Sequence, residues 1–311
     1  IKNPLAIFAK DSDGGVVIQG QNIIELVSLG ETPNTHIDEI YDASASVLLP
    51  GLINTHHHFY QTLTRAYPEA LNKELFPWLK SLYKVWANIQ PEMLAVSTEL
   101  ALSELLLSGC TTASDHHYLF PSQLENAIDI QVEEAQKIGM RVVLTRGSMS
   151  LGEKDGGLPP QSVVQTKEQI LTDSERLIKA YHESEEGAMT QIALAPCSPF
   201  SVTTDLMIET AEIAQQYDVR LHTHLAETID EENFCLDKFG LRTVDYLESV
   251  GWLSDRTWLA HGIHFNQQEI QKLGDFGVGI CHCPSSNMML ASGICHSLEL
   301  EEAGSTIGLG V

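Results

Sequence analysis

Residues 47–61 read "VLLPGLINTHHHFYQ", an aliphatic run that leads into three consecutive histidines. The run over 47–54 is too short for a buried helix and is rich in branched apolar residues, so it predicts an interior strand. Side chains alternate along a strand, which puts His56 and His58 on one face and turns His57 away as a structural residue. Two imidazoles about 7 Å apart at a strand end, from a rise of ~3.3 Å per residue, can converge on one cation. The plainer reading of the same stretch is a polar loop.

Outward from this stretch, strand-like apolar runs recur at 111–115, 141–145, 191–196, 220–226, 257–261, 278–282 and 306–311. Helical stretches lie between them, such as "PEMLAVSTELALSELLLSG", which opens on a proline and closes on Gly109. "SQLENAIDIQVEEAQKIG" and "TDLMIETAEIAQQY" carry apolar residues three and four apart, the pattern of helices facing a sheet. Eight strands with helical crossovers predict an α/β chain folded as a (β/α)8 barrel of the TIM type. The first 49 residues lack helical periodicity and carry short β-type runs, so 1–49 is expected as part of a small β module and 50–311 as the barrel.

Eighteen basic against forty-two acidic residues give a formal charge of −24, which repels phosphate backbones and anionic membranes. Nucleic-acid polymers and membranes are thereby excluded as expected partners. No 18-residue apolar span and no signal-peptide pattern is present, so a cytoplasmic location is expected. The six cysteines are scattered without a disulfide-framework spacing and read as reduced thiols.

In such barrels the chemistry sits at the C-terminal strand ends, and histidines recur there. "RLHTHLAET" carries His222 and His224 with Glu227 after them, and "WLAHGIHF" ends its strand on His261. A catalytic zinc takes about three protein ligands and keeps an open position. His56 and His58 with one histidine of the fifth strand would supply three nitrogens, and the cation would lower the pKa of bound water to about 7. Glu227 is the natural proton carrier toward a poor amine leaving group. "DHHY", Asp115 to Tyr118, is expected as a polar loop, with pocket lining as the alternative. Cys281, His282 and Cys283 lack structural-zinc spacing and are not expected to form a second site. Trp78 and Trp86 fall in a long insertion after the first strand, where either an aromatic face on the pocket or ordinary helix packing fits.

"LLPGLINTHHHFYQ", "HTHLAET", "LAHGIHF", "CPSSNMMLASG" and "GLGV" together resemble the amidohydrolase superfamily, in its branch of aminohydrolases acting on purines, pyrimidines and triazines. With "FPWLKSLYKVWANIQPE", the first stretch is most similar to the 8-oxoguanine deaminases, which are grouped with hydroxydechloroatrazine ethylaminohydrolases. The resemblance implies a zinc-dependent hydrolytic deamination of 8-oxoguanine to urate and ammonia. Guanine, isoguanine or a triazine is the alternative substrate, and a non-catalytic metal-binding scaffold the alternative of a different class. It implies one divalent metal, zinc or iron, held by His56, His58 and His224. Glu227 would shuttle protons, and His261 would polarise the hydrated carbon. Gln61, Trp78 and His261 would touch the base, and Ser285, Ser286 and Asn287 would form a turn lining the site. A small purine-like substrate and a homo-oligomer are implied as partners, and residues 1–49 as part of a β-sandwich module. "QIALAPCSPF" has no lysine to bridge two metals, which favours a mononuclear site. The family's metal-binding aspartate is expected just after Val311, so the sequence is expected to be a truncated portion of a longer enzyme.

Overall fold

Each of the eight expected strands forms, and each ends within a few residues of its expected limit. In the computed structural model, which describes residues 1–10 and 12–311, they are β1 (Leu52–Asn54), β2 (Cys110–His117), β3 (Arg141–Ser148), β4 (Thr190–Pro196), β5 (Leu221–Leu225), β6 (Thr257–His261), β7 (Gly279–His282) and β8 (Ile307–Leu309). They close in chain order into one barrel, β8 returning to β1 through Leu309 opposite Asn54. Sequential closure follows from the crossovers, since a strand followed by a helix returns parallel and adjacent.

The helices bury the faces that their periodicity marks. In α1 (Pro91–Leu107) the buried residues Leu94, Ser97, Thr98, Ala101 and Leu102 fall three, one, three and one apart, and Pro91 starts the helix where its missing N–H costs nothing. In α2 (Thr204–Tyr217) they are Leu206, Met207, Thr210 and Ala214. Each fully buried Leu or Met contributes roughly 1.5–3 kcal/mol over an exposed one. Trp86, expected at the pocket or in packing, is fully buried and gives its indole N–H to Thr64 Oγ1 at 3.1 Å, which settles it as packing.

The run 47–54 does not form one strand. Val47–Leu48 pairs with Ala6–Ile7, and β1 begins only at Leu52. Pro50 lacks an N–H for the ladder and interrupts the run. Ile1–Leu52 together with Glu185–Ala188 makes one compact unit, and Ile53–Ser184 with Met189–Val311 makes the other. The first holds an antiparallel hairpin, Gly15–Gln19 against Asn22–Val27, whose two-residue turn places Gly20 at φ +59°. The six cysteines are free and buried. Among the described residues no helix is long and apolar enough to cross a membrane.

One barrel interaction has no counterpart in the sequence pattern. Arg146, on β3, is fully buried, with Nε donating to Asp173 at 2.8 Å and Nη2 to Gln165 at 2.8 Å, its guanidinium 3.8 Å from the Phe120 ring centroid. Removing one partner of such a pair leaves a buried charge uncompensated. Asp173→Ala is expected to destabilise the fold by about 3–5 kcal/mol, read as a lowered urea midpoint. A change below about 0.5 kcal/mol would show that the remaining partners satisfy the arginine.

Candidate active site

The three consecutive histidines lie past the end of β1, because the strand stops at Asn54. Strand alternation therefore does not set their directions; anchors from β2 do. Asp115 accepts the Phe59 N–H at 2.6 Å and the Gln131 side-chain N–H at 2.6 Å. The His116 N–H donates to the His57 carbonyl, and His58 Nδ1 donates to the His116 carbonyl, both at 2.7 Å. "DHHY" is thus no polar loop, as the sequence reading expected: Asp115, His116 and His117 are the fully buried end of β2, and they hold the segment that carries His56 and His58. Burial pushes the Asp115 carboxyl up to about 7, against the pull of its two donors.

Each histidine of the cluster has one nitrogen tied, and the tie fixes which nitrogen keeps its lone pair. His58 Nδ1–H is bound to a carbonyl, as is His224 Nδ1–H, which donates to Cys197 O at 2.7 Å. His222 Nδ1–H donates to Trp258 O at 2.9 Å, so its Nε2 accepts from His56 Nδ1 at 2.8 Å. His56, His58 and His224 are all left with Nε2 unprotonated, and the Nε2 atoms of His58 and His224 face each other at 3.2 Å. Two lone pairs at that distance repel unless a cation lies between or beside them, so the donor set fits a divalent metal. Burial, then repulsion among the imidazoles, keeps their pKa values well below the ordinary range, which holds them neutral as ligands must be. His222 stands behind His56 and stacks on Trp258 at 4.3 Å.

Glu227 and His261 sit beside the cluster, with Glu227 Oε2 3.6 Å from His261 Nε2. Both follow backbone in the left-handed region, Ala226 at φ +52° and His261 itself at +76°, a conformation non-glycine residues adopt only under constraint. Part of that constraint is Glu231, whose two carboxylate oxygens accept the N–H groups of Ala226 and Glu227 at 3.0 Å each. His261 Nδ1–H is held by Asn287 Oδ1 at 2.9 Å. Burial pushes Glu227 up to about 8 and His261 down to about 4.

Burial likewise pushes Glu231 from 4.5 up to about 8. A folded value above the unfolded one stabilises fully below pH 4.5 and is lost as pH rises through about 8. Glu231→Gln cannot titrate, so its deficit in melting temperature relative to the parent should shrink between pH 5 and pH 8. A deficit constant over that range would show that Glu231 does not change protonation there.

A cavity of about 320 Å³ opens over the cluster. Gln61, Trp78, Glu227, His261, Ser285 and Ser286 all line it, so the structure gathers the three residues expected to touch the base, Gln61, Trp78 and His261, at one place. Asn287 is set back, behind His261. His57 is buried outside the group of ligand nitrogens, although it also borders the cavity. The sequence reading missed three contributors: Asp115 and His116 on β2, and Cys283, whose sulfur lies within 4.8 Å of ligand atoms of His56 and His261. The alternation on β2 carried a signal for the first two, because Asp115 and His117 point one way and His116 the other.

Comparison with known proteins agrees with this geometry. The chain is 65% identical over its whole length to the 8-oxoguanine deaminase of Pseudomonas aeruginosa, of which it spans 70%. It is 31% identical over 96% of its length to the hydroxydechloroatrazine ethylaminohydrolase of Pseudomonas sp. strain ADP, of which it spans 65%. The crystal structure of the atrazine chlorohydrolase of Arthrobacter aurescens TC1 complexed with zinc superposes with a TM-score of 0.86 at 29% identity, covering 98% of this chain and 70% of that one. Residues 47–311 match the amidohydrolase family. With this match over most of its length and a histidine cluster at the strand ends of a parallel barrel, the chain belongs to the amidohydrolase family.

Proposed function

We propose that the site deaminates 8-oxoguanine hydrolytically to urate and ammonia, with one zinc ion held by His56, His58 and His224. The observation that carries the substrate is the 65% identity, over the whole chain, to the 8-oxoguanine deaminase of Pseudomonas aeruginosa. A divalent cation there would make water a nucleophile at neutral pH.

The rest of the chemistry belongs to side chains. Water adds to the carbon bearing the exocyclic amine, and the amine must gain a proton to leave as ammonia. Glu227 suits that transfer: it is buried on the cavity wall 3.6 Å from His261 Nε2, and burial, which disfavours its charge, pushes its carboxyl up to about 8. His261, with Nδ1 engaged by Asn287, turns Nε2 toward Glu227 and the cavity. From there the bare Nε2 accepts from the attacking water and orients it. Trp78 and Phe200 give the cavity apolar walls suited to a flat heterocycle, and Gln61 offers an amide for the base edge.

The test is ammonia release by the zinc-loaded protein from 8-oxoguanine, isoguanine, guanine and hydroxylated triazines, with metal analysis alongside. Strong preference for 8-oxoguanine with about one metal per chain is the expected result. Preference for a triazine would move the substrate to the relatives' other chemistry, and release from none of them with metal bound would overturn the purine reading. Gln61→Ala should raise KM more than it lowers kcat, because it removes a binding contact and no proton carrier; equal loss in both would place Gln61 in the transition state.

A further inference from the structure

The cavity wall is charged against the trend of the chain. Acidic residues outnumber basic ones forty-two to eighteen, yet the lining residues include two cations, Arg65 and Lys73, and one carboxyl, Glu227. Arg65 is already engaged, because both of its Nη atoms donate to the Glu104 carboxylate, at 2.9 and 2.5 Å. Lys73 has neither an ion pair nor a hydrogen bond among the described residues. Other lysines without an ion pair, such as Lys80, Lys84 and Lys154, are exposed and solvated by water, whereas Lys73 is half-buried. A half-buried ammonium on a cavity wall offers N–H donors to whatever occupies the cavity.

The backbone holds this lysine in place. Ala66 and Asn72 both take left-handed conformations, at φ +55° each, which non-glycine residues keep only where their surroundings fix them. Ala70 and Leu75 are buried in the hydrophobic core, so the segment is anchored on both sides of Lys73. Leu75 opens the helix Leu75–Trp86, which carries Trp78 on the cavity wall. One anchored stretch therefore presents the cavity with an aromatic face and, five residues before it, a cation without a partner.

We propose that Lys73 sets specificity by donating to the C8 carbonyl oxygen of the purine, the oxygen that separates 8-oxoguanine from guanine. The inference rests on the reading of this site as an 8-oxoguanine deaminase. The amine to be lost sits on C2 of the six-membered ring and the extra oxygen on C8 of the five-membered ring, at opposite ends of the base. With C2 held at the histidine cluster, the C8 oxygen points away from the cluster and needs a donor elsewhere on the wall. Gln61, Ser285 and Ser286 offer neutral donors, and Lys73 is the lining cation that no carboxylate holds. A charged donor makes a hydrogen bond roughly twice as strong as a neutral one. Guanine leaves that donor unfilled, and a site built to bond a substrate oxygen rejects the analogue that lacks it.

Two substitutions test the charge. Lys73→Met keeps most of the side chain's length and removes the donor, while Lys73→Arg keeps a cation. Steady-state kinetics on the zinc-loaded full chain give kcat and KM for 8-oxoguanine, and guanine is titrated as a competing ligand for its inhibition constant. Lys73→Met should raise KM for 8-oxoguanine by about tenfold to a hundredfold, the loss expected of a charged hydrogen bond, with kcat changed less than about threefold. Its inhibition constant for guanine should stay within about twofold of the parent's, because guanine makes no use of the lysine. Lys73→Arg should recover most of the loss. Should the methionine lower the melting temperature, Lys73→Gln serves as the second neutral variant and is held to the same outcomes. A KM for 8-oxoguanine that is unchanged, or that rises in step with the guanine constant, overturns the role of Lys73 and leaves the deaminase reading standing. A parent that binds metal and releases no ammonia from 8-oxoguanine overturns that reading and the role of Lys73 with it.

Discussion

Glu227→Gln keeps its metal and loses about 10²–10⁴-fold in kcat, the usual worth of a positioned proton donor. The amide is close to the same size and can sit in the same buried place, so packing beside His261 survives. What it lacks is a proton it can give to a leaving amine and take back. Because Glu227 is not among the clustered ligand nitrogens, metal content measured by mass spectrometry should equal that of the parent. Metal content intact with kcat unchanged would remove Glu227 from the proton path. Metal lost together with activity would mean that the carboxylate helps to hold the cation.

Metal removal is the second large effect. Chelation should abolish turnover and lower thermal stability, since a cation at a thousand times its Kd adds about 4.1 kcal/mol to the folded state. Without it the bare Nε2 atoms of His58 and His224 confront each other at 3.2 Å with no positive charge between them. His224→Ala should act in the same direction, with metal content falling to a small fraction and zinc no longer raising the melting temperature. His57→Ala should leave metal content unchanged, since His57 lies outside the ligand group. Equal metal loss in both variants would show that His57 also reaches the cation.

The sequence and the tertiary structure divide the molecule between them on physical grounds. Strand and helix positions were legible because the pattern is local: an apolar run over 141–145 or a period of 3.6 over 204–217 is written in adjacent residues. The break at Pro50 was the exception, an apolar run overruled by one missing N–H. His56, His58, His224, Glu227 and His261 were legible too, because a parallel barrel puts every strand's C-terminal end on one rim. Their directions were not legible. His56 is aimed by His222, 166 residues away, His58 by the carbonyl of His116, and the Glu227 backbone by Glu231. Sequence alone determined which residues reach the rim of the barrel. Only the tertiary structure decided which nitrogen of each imidazole stays bare and which buried carboxyl keeps its proton, because hydrogen bonds between distant strand ends and the exclusion of water set both.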